Sequence, residues 1–394
     1  MINPASLALG TKRNTIMELA DHGRARAAVI GKENVFDFSI GNPSIPTPDG
    51  VSTALLDILQ NMDPLDIHSY TSTMGDPNTR AMVAADLNAR FGCDAKAEEL
   101  LLCCGAAPEV AAACKALTTP GSEILVFAPY FPEYKPYVEQ AGAAFRIVPA
   151  DIPNFQLNLT ALEEMLSPNT SAVIVNNPNN PVGCVYSAET ITKLAALLEK
   201  KSVEFGHRIY IIADEPYREL AYDGAVVPFI PQIYPHTVVC YSYSKSLSLP
   251  GERLGYIYVP TAAEAGRDLY HAIVGAARAM GHVCAPSLMQ RMLARCAHLQ
   301  PDLTTYDRNR RTLVEALTSY GYEMAKPDGA FYLFLKAPGG DDRAFSQKAM
   351  SKDLLLMPGT DFGCPGYLRL CYCVSYDTVV RSLPIFRELM EEYR

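Results

Sequence analysis

The chain has 394 residues, enough for two domains of ordinary size, and its 49% apolar and 20% charged residues can bury a large core. A net charge of −9 excludes a nucleic-acid binder, which needs a basic face, and offers nothing to an anionic membrane. No apolar run approaches the roughly 18 residues of a membrane span.

The opening MINPASLALGTKRNT has no apolar signal core, so a cytoplasmic protein is expected. Eleven cysteines occur without a C-x-x-C pair and read as reduced thiols, with Cys371 and Cys373 as core residues. Residues 1–46 carry turn chemistry at GNPSIPTPDG (41–50). Seven short apolar runs then alternate with helical patterns: LLLCC, EILVF (123–127), AFRIV (144–148), SAVIV (171–175), RIYIIA (208–213), TVVCY (237–241) and LGYIYV (254–259). That alternation predicts an α/β fold with a mostly parallel seven-stranded sheet flanked by helices, its strands buried on both faces. After Pro286 the pattern changes to a long helical region broken near Pro301, strand-like GAFYLFLK (329–336) and YLRLCYCV (367–374), and a closing helix. The expected division is a large domain over 47–285 and a smaller α/β domain built from 1–46 and 286–394.

In open α/β sheets, ligands sit at the carboxyl ends of the strands. CGAAPEV follows the first run, and its small residues at a helix start could admit an anion or simply make a tight turn. Phe131 follows the second run, NNPNNPVG (176–183) follows SAVIV, and DEPY (214–217) follows YIIA. An acid ending an apolar strand is costly unless a cation faces it. YSYSKSLSLPGERLGY, from Tyr241, then places Lys245 among Ser242, Tyr243, Ser244, Ser246 and Ser248, with Arg253 a short turn away. An anion nest, an aromatic face, an acid, amide and phenol donors, one lysine and one arginine would all be used by pyridoxal 5'-phosphate, a phosphate-bearing aromatic cation that forms a Schiff base with lysine. No metal is called for.

NPNNPVG, ADEPY, SYSK with an arginine eight positions beyond the lysine, and the late LRLCY occur in this order over nearly the whole chain. In this the sequence resembles the class I/II aminotransferases of the fold-type I pyridoxal-phosphate superfamily. The resemblance implies that Lys245 is the Schiff-base lysine and Asp214 the partner of the pyridine nitrogen. It implies that Tyr217 and Asn180 bond the ring hydroxyl. Ser242, Arg253 and the N–H groups of Ala106 and Ala107 would form the phosphate cup, with Phe131 stacked on the ring. Tyr70 matches a tyrosine lent to the phosphate by the partner subunit, which implies a homodimer with shared sites. Arg369 matches the arginine for the substrate α-carboxylate, and Gly41 the N-terminal substrate-contacting glycine. The implied substrates are an amino acid and a 2-oxo acid, with aspartate or another acidic amino acid as first choice.

Two departures bear on that choice. One aspartate-specific branch has a lysine where Ala107 stands, and another uses a partner-subunit arginine near the position of Met280. Arg278 and His282 flank that position and could take its place. A carbon–sulfur β-lyase would use the same Lys245, Asp214 and Arg369. A non-catalytic regulator of this fold would carry an N-terminal DNA-binding domain, and only about forty residues precede the pattern here.

Overall fold

A computed structural model describes residues 1–11 and 15–393. The seven apolar runs become β2 (Leu100–Cys103), β3 (Glu123–Phe127), β4 (Ala144–Val148), β5 (Thr170–Asn176), β6 (Tyr210–Asp214), β7 (Thr237–Ser242) and β8 (Gly255–Tyr258), after a short β1 (Phe36–Asp37). They form one sheet in the order β2-β8-β7-β6-β5-β3-β4, in which only β8 runs antiparallel to its neighbours. β3, β5, β6 and β7 bury nearly every residue, as continuous Val/Ile/Leu runs require when helices cover both faces. AFRIV is the exception. As edge strand β4 it exposes Ala144, Arg146 and Ile147, so it is not buried on both faces.

The crossover helices begin and end on local signals. Ser187 caps the helix Ala188–Phe205 by accepting from the Thr190 N–H, and Gly206 closes it in the left-handed conformation. Gly105, at φ 91°, opens the helix Ala106–Ala116 straight out of β2.

Two compact units result. The larger comprises 43–303 and 326–330, the smaller 1–42, 304–325 and 331–394. The smaller unit holds a three-stranded antiparallel sheet of β9 (Tyr332–Lys336), β11 (Met357–Pro358) and β12 (Tyr367–Cys371), with β9 and β11 flanking β12. A short parallel pair joins β1 to β10 (Leu354–Leu355). Cys371 and Cys373 are buried there, and none of the eleven cysteines is in a disulfide.

The division corrects the expected boundary at 285. Residues 286–303 belong to the larger unit because their helix, Ser287–Cys296, is bonded to its N-terminal part. Ser287 Oγ donates to the Ile67 carbonyl at 2.8 Å, Gln290 Nε2 to Thr71 Oγ1 at 3.0 Å, and Arg295 pairs with Asp57. The helical region does break at 301, between Cys296 and Thr304.

Candidate active site

The lysine segment is a turn braced by its own hydroxyls. β7 ends at Ser242, whose Oγ caps the one-turn helix Tyr243–Ser246 by accepting from the Ser244 N–H at 3.1 Å and donating to Ser244 Oγ at 2.6 Å. Tyr241 donates to Ser246 Oγ at 2.8 Å. Four of the hydroxyls around Lys245 therefore hold one another, and Lys245 itself is half-buried among them. Ser242 keeps its place at the strand end, but its hydroxyl already serves the cap.

One strand over, Asp214 ends β6 in register with Cys240 of β7 and Asn176 of β5. It is 6% exposed, and burial pushes its carboxyl up to about 7 against the opposing bond from Tyr134. Oδ2 accepts the Tyr134 hydroxyl, while Oδ1 is buried and has no hydrogen-bond partner among the described residues. Tyr217, in the turn after Asp214, and Asn180, in the loop after β5, are buried, and the Asn180 N–H donates to Asn176 Oδ1 at 2.6 Å. Next to Asp214 in the chain, Glu215 forms a salt bridge with Arg218, 2.5 Å from Nε. The Arg218 guanidinium lies 4.6 Å from the centre of the Tyr241 ring and donates to Tyr256 Oη at 2.8 Å.

The third part is an anion cradle. Ala106 and Ala107 are the first residues of the helix Ala106–Ala116, where backbone N–H groups lack helical partners. Arg253, exposed and at φ 53°, donates to the carbonyls of Cys104 at 3.0 Å and Pro250 at 2.9 Å. A Cβ on Gly105 would stand 2.7 Å from Arg253 Nη2, so glycine is what lets the guanidinium approach the helix start. Phe131 is half-buried, edge-on to Tyr134 with ring centres 5.6 Å apart. Tyr70 is 85% exposed.

Arg369 and Gly41 lie in the smaller unit. Arg369 is buried, donates to the Ser39 carbonyl at 2.5 Å, and is flanked by the rings of Tyr332 and Phe362 at 5.0 and 4.7 Å. A Cβ on Gly41 would meet Tyr332 Oη at 2.5 Å. Arg278 is exposed in the last turn of its helix, and burial lowers the pKa of His282, whose Nε2 is buried without a partner among the described residues.

Sequence reasoning did not single out Tyr134, Asn176 or Glu109. Glu109 is fully buried in the helix Ala106–Ala116, neither of its carboxyl oxygens has a partner among the described residues, and burial raises its pKa well above the ordinary carboxylate value. Asn176 was visible as part of an asparagine-rich turn. Its register opposite Asp214 was not.

These residues fit pyridoxal phosphate. The orphaned, buried Oδ1 of Asp214 suits a protonated ring nitrogen, the Gly105 cradle with Arg253 suits a phosphate, and Lys245 would supply the amine. The sequence profile described as aminotransferase class I and II matches residues 33–383. The chain belongs to that family, and it is a pyridoxal-phosphate-dependent aminotransferase of fold type I. An aminotransferase from Eubacterium rectale has the same fold with a TM-score of 0.98 at 48% identity, covering 100% of this chain and 99% of that one. An aspartate aminotransferase from Thermotoga maritima is 28% identical over 91% of this chain and 92% of its own length, and such a structure from that organism aligns with a TM-score of 0.87. A probable N-acetyl-LL-diaminopimelate aminotransferase from Bacillus subtilis is 29% identical over 90% of this chain and 89% of its own. Among the described residues no helix is long and apolar enough to cross a membrane.

Proposed function

We propose that the enzyme moves an amino group from an acidic L-amino acid, aspartate first, to a 2-oxo acid, with Lys245, Asp214 and Tyr217 as its catalytic residues. The observation that carries this reading is the buried Asp214 with Oδ1 open, on the strand beside the one that leads into Lys245. When bound, pyridoxal phosphate supplies an electron sink for the bond cleaved at the substrate Cα. Asp214 Oδ1 keeps a negative charge at the ring nitrogen, and Tyr217 and Asn180 hold the ring hydroxyl. Phe131 covers a ring face. Arg253, Ser242 and the N–H groups of Ala106 and Ala107 hold the phosphate, joined by Tyr70 from the partner subunit of a homodimer. The amine of Lys245 takes the proton from the substrate Cα. Arg369 grips the α-carboxylate with its planar fork, while Gly41 and Asn180 complete the substrate contacts. Cysteines without disulfides suit a cytoplasmic enzyme.

Relatives named as aspartate aminotransferases favour the acidic donor, and Arg278 or His282 would meet its distal carboxylate. A screen of amino acids against the holoenzyme, read from loss of the cofactor's imine absorbance, tests the donor. Aspartate and glutamate should react fastest. A faster reaction with alanine or an aromatic donor would contradict the acidic assignment, and pyruvate release from cystathionine as the main reaction would make the enzyme a β-lyase.

A further inference from the structure

The cluster around Asp214 holds more than the roles above require. Oδ2 accepts from two side chains: the Tyr134 hydroxyl, and Asn176 Nδ2 at 3.4 Å. The same Nδ2 donates to the Asp214 carbonyl at 2.8 Å, and Asn176 Oδ1 receives the Asn180 N–H at 2.6 Å. All four residues are buried, and Tyr134 is 2% exposed. Both donors therefore reach one carboxylate oxygen, and the other is left open.

We propose that Tyr134 and Asn176 are positioning residues: they clamp Oδ2 of Asp214 so that Oδ1 is presented to the cofactor's ring nitrogen, and Asn176 ties that acid to Asn180. The clamp rests on the reading of Asp214 as the ring-nitrogen partner. Its physical purpose follows from burial, which favours the neutral acid and would switch off the charge the ring nitrogen needs. The titratable groups that act on Asp214 are Glu109 from the helix Ala106–Ala116, Tyr134 and Tyr137 from the helix Tyr134–Ala141, Glu215 from its own turn, and Cys240 from β7. Burial raises the pKa of Glu109 well above the ordinary carboxylate value, which favours its neutral form, and the charge of Glu215 is met by Arg218. Tyr134 is also held in its protonated form, by burial and then by Asp214, so it remains a donor. Of these groups, Tyr134 is the one whose bond favours the ionised acid.

The test begins with the apoprotein, where activity plays no part. Isotope-edited infrared spectroscopy, with Asp214→Asn as the blank, follows ionisation of the Asp214 carboxyl against pH. Tyr134→Phe should raise the midpoint by about one to two pH units, the worth of one charge-assisted hydrogen bond. Asn176→Ala should raise it by less than about one, since its bond is longer. A trifluorinated tyrosine at position 134 keeps the shape, strengthens the donor, and should lower the midpoint; it stands in should the phenylalanine variant not fold. In the holoenzyme, Tyr134→Phe should lower kcat roughly tenfold or more with little change in KM, because the interaction acts on the reaction and not on substrate binding. A midpoint that moves with neither change at position 134 overturns the clamp. Should Asp214→Asn bind cofactor and react with amino acids as the wild type does, the reading of Asp214 itself falls. An impaired Asp214→Asn beside unshifted Tyr134 variants removes the clamp alone.

Discussion

Asp214 is 6% exposed at the end of a buried strand, whereas Arg253 stands exposed in a loop and is held by two main-chain carbonyls. The two lie at opposite ends of the proposed cofactor site and show two ways of building a charged contact. At the Asp214 end the side chains come from one chain and are desolvated, so each bond is strong and a missing one is costly. At the Arg253 end the charge is permanent and solvent-screened, and the geometry comes from Gly105 and a helix start. On the proposed reading, the buried end would govern chemistry and the open end binding. On the same reading a second subunit would contribute at the open end through Tyr70, which is 85% exposed.

The largest test of this contrast is Lys245→Ala. Loss of a general base alone costs about 10²–10⁴-fold in rate, and loss of the covalent tether adds to it. Cofactor should still bind, because the phosphate end is untouched; absorbance of the reconstituted variant and its transamination rate check the two halves. Arg369→Lys comes next. Losing the bidentate fork should reduce kcat/KM by roughly ten- to a thousandfold, and for every amino acid alike, since each has an α-carboxylate. A loss confined to acidic donors would show that Arg369 reads the distal group.

A smaller effect sharpens the open end. Tyr70→Phe subunits mixed with Lys245→Ala subunits should recover about a quarter of wild-type activity, because half the dimers become hybrids with one intact site in two. No recovery after verified exchange would keep Tyr70 in its own chain. The smallest effect concerns pH. Asp214 is raised in the fold from the usual 3.8 to about 7, so the folded apoprotein binds this proton more tightly than the unfolded chain. Its contribution to stability is present below about pH 4 and is lost as pH rises through about 7. Thermal melts at pH 5 and pH 8 should show Asp214→Asn removing part of that fall.

The buried strands were legible because their Val/Ile/Leu runs leave no other use for such segments. The positions of Asp214 at the end of its strand, and of Lys245 and Asn180 just beyond theirs, were legible because polar groups interrupt those runs. What escaped depends on register and on long-range packing. AFRIV has a strand composition, and nothing in five residues says that it lies at an edge. The helix Ser287–Cys296 follows a change of pattern, yet it packs on segments more than two hundred residues earlier. Tyr134 follows Phe131 by three positions in an ordinary helical stretch, and only the folded chain brings its hydroxyl to Asp214.

The most direct test is chemical. The holoenzyme is reduced with borohydride, digested and mapped. The cofactor should be fixed to the peptide carrying Lys245 and should leave that residue unlabelled in Lys245→Ala. A label on any other lysine, or no chromophore to reduce after reconstitution, would contradict the assignment on which the whole site is built.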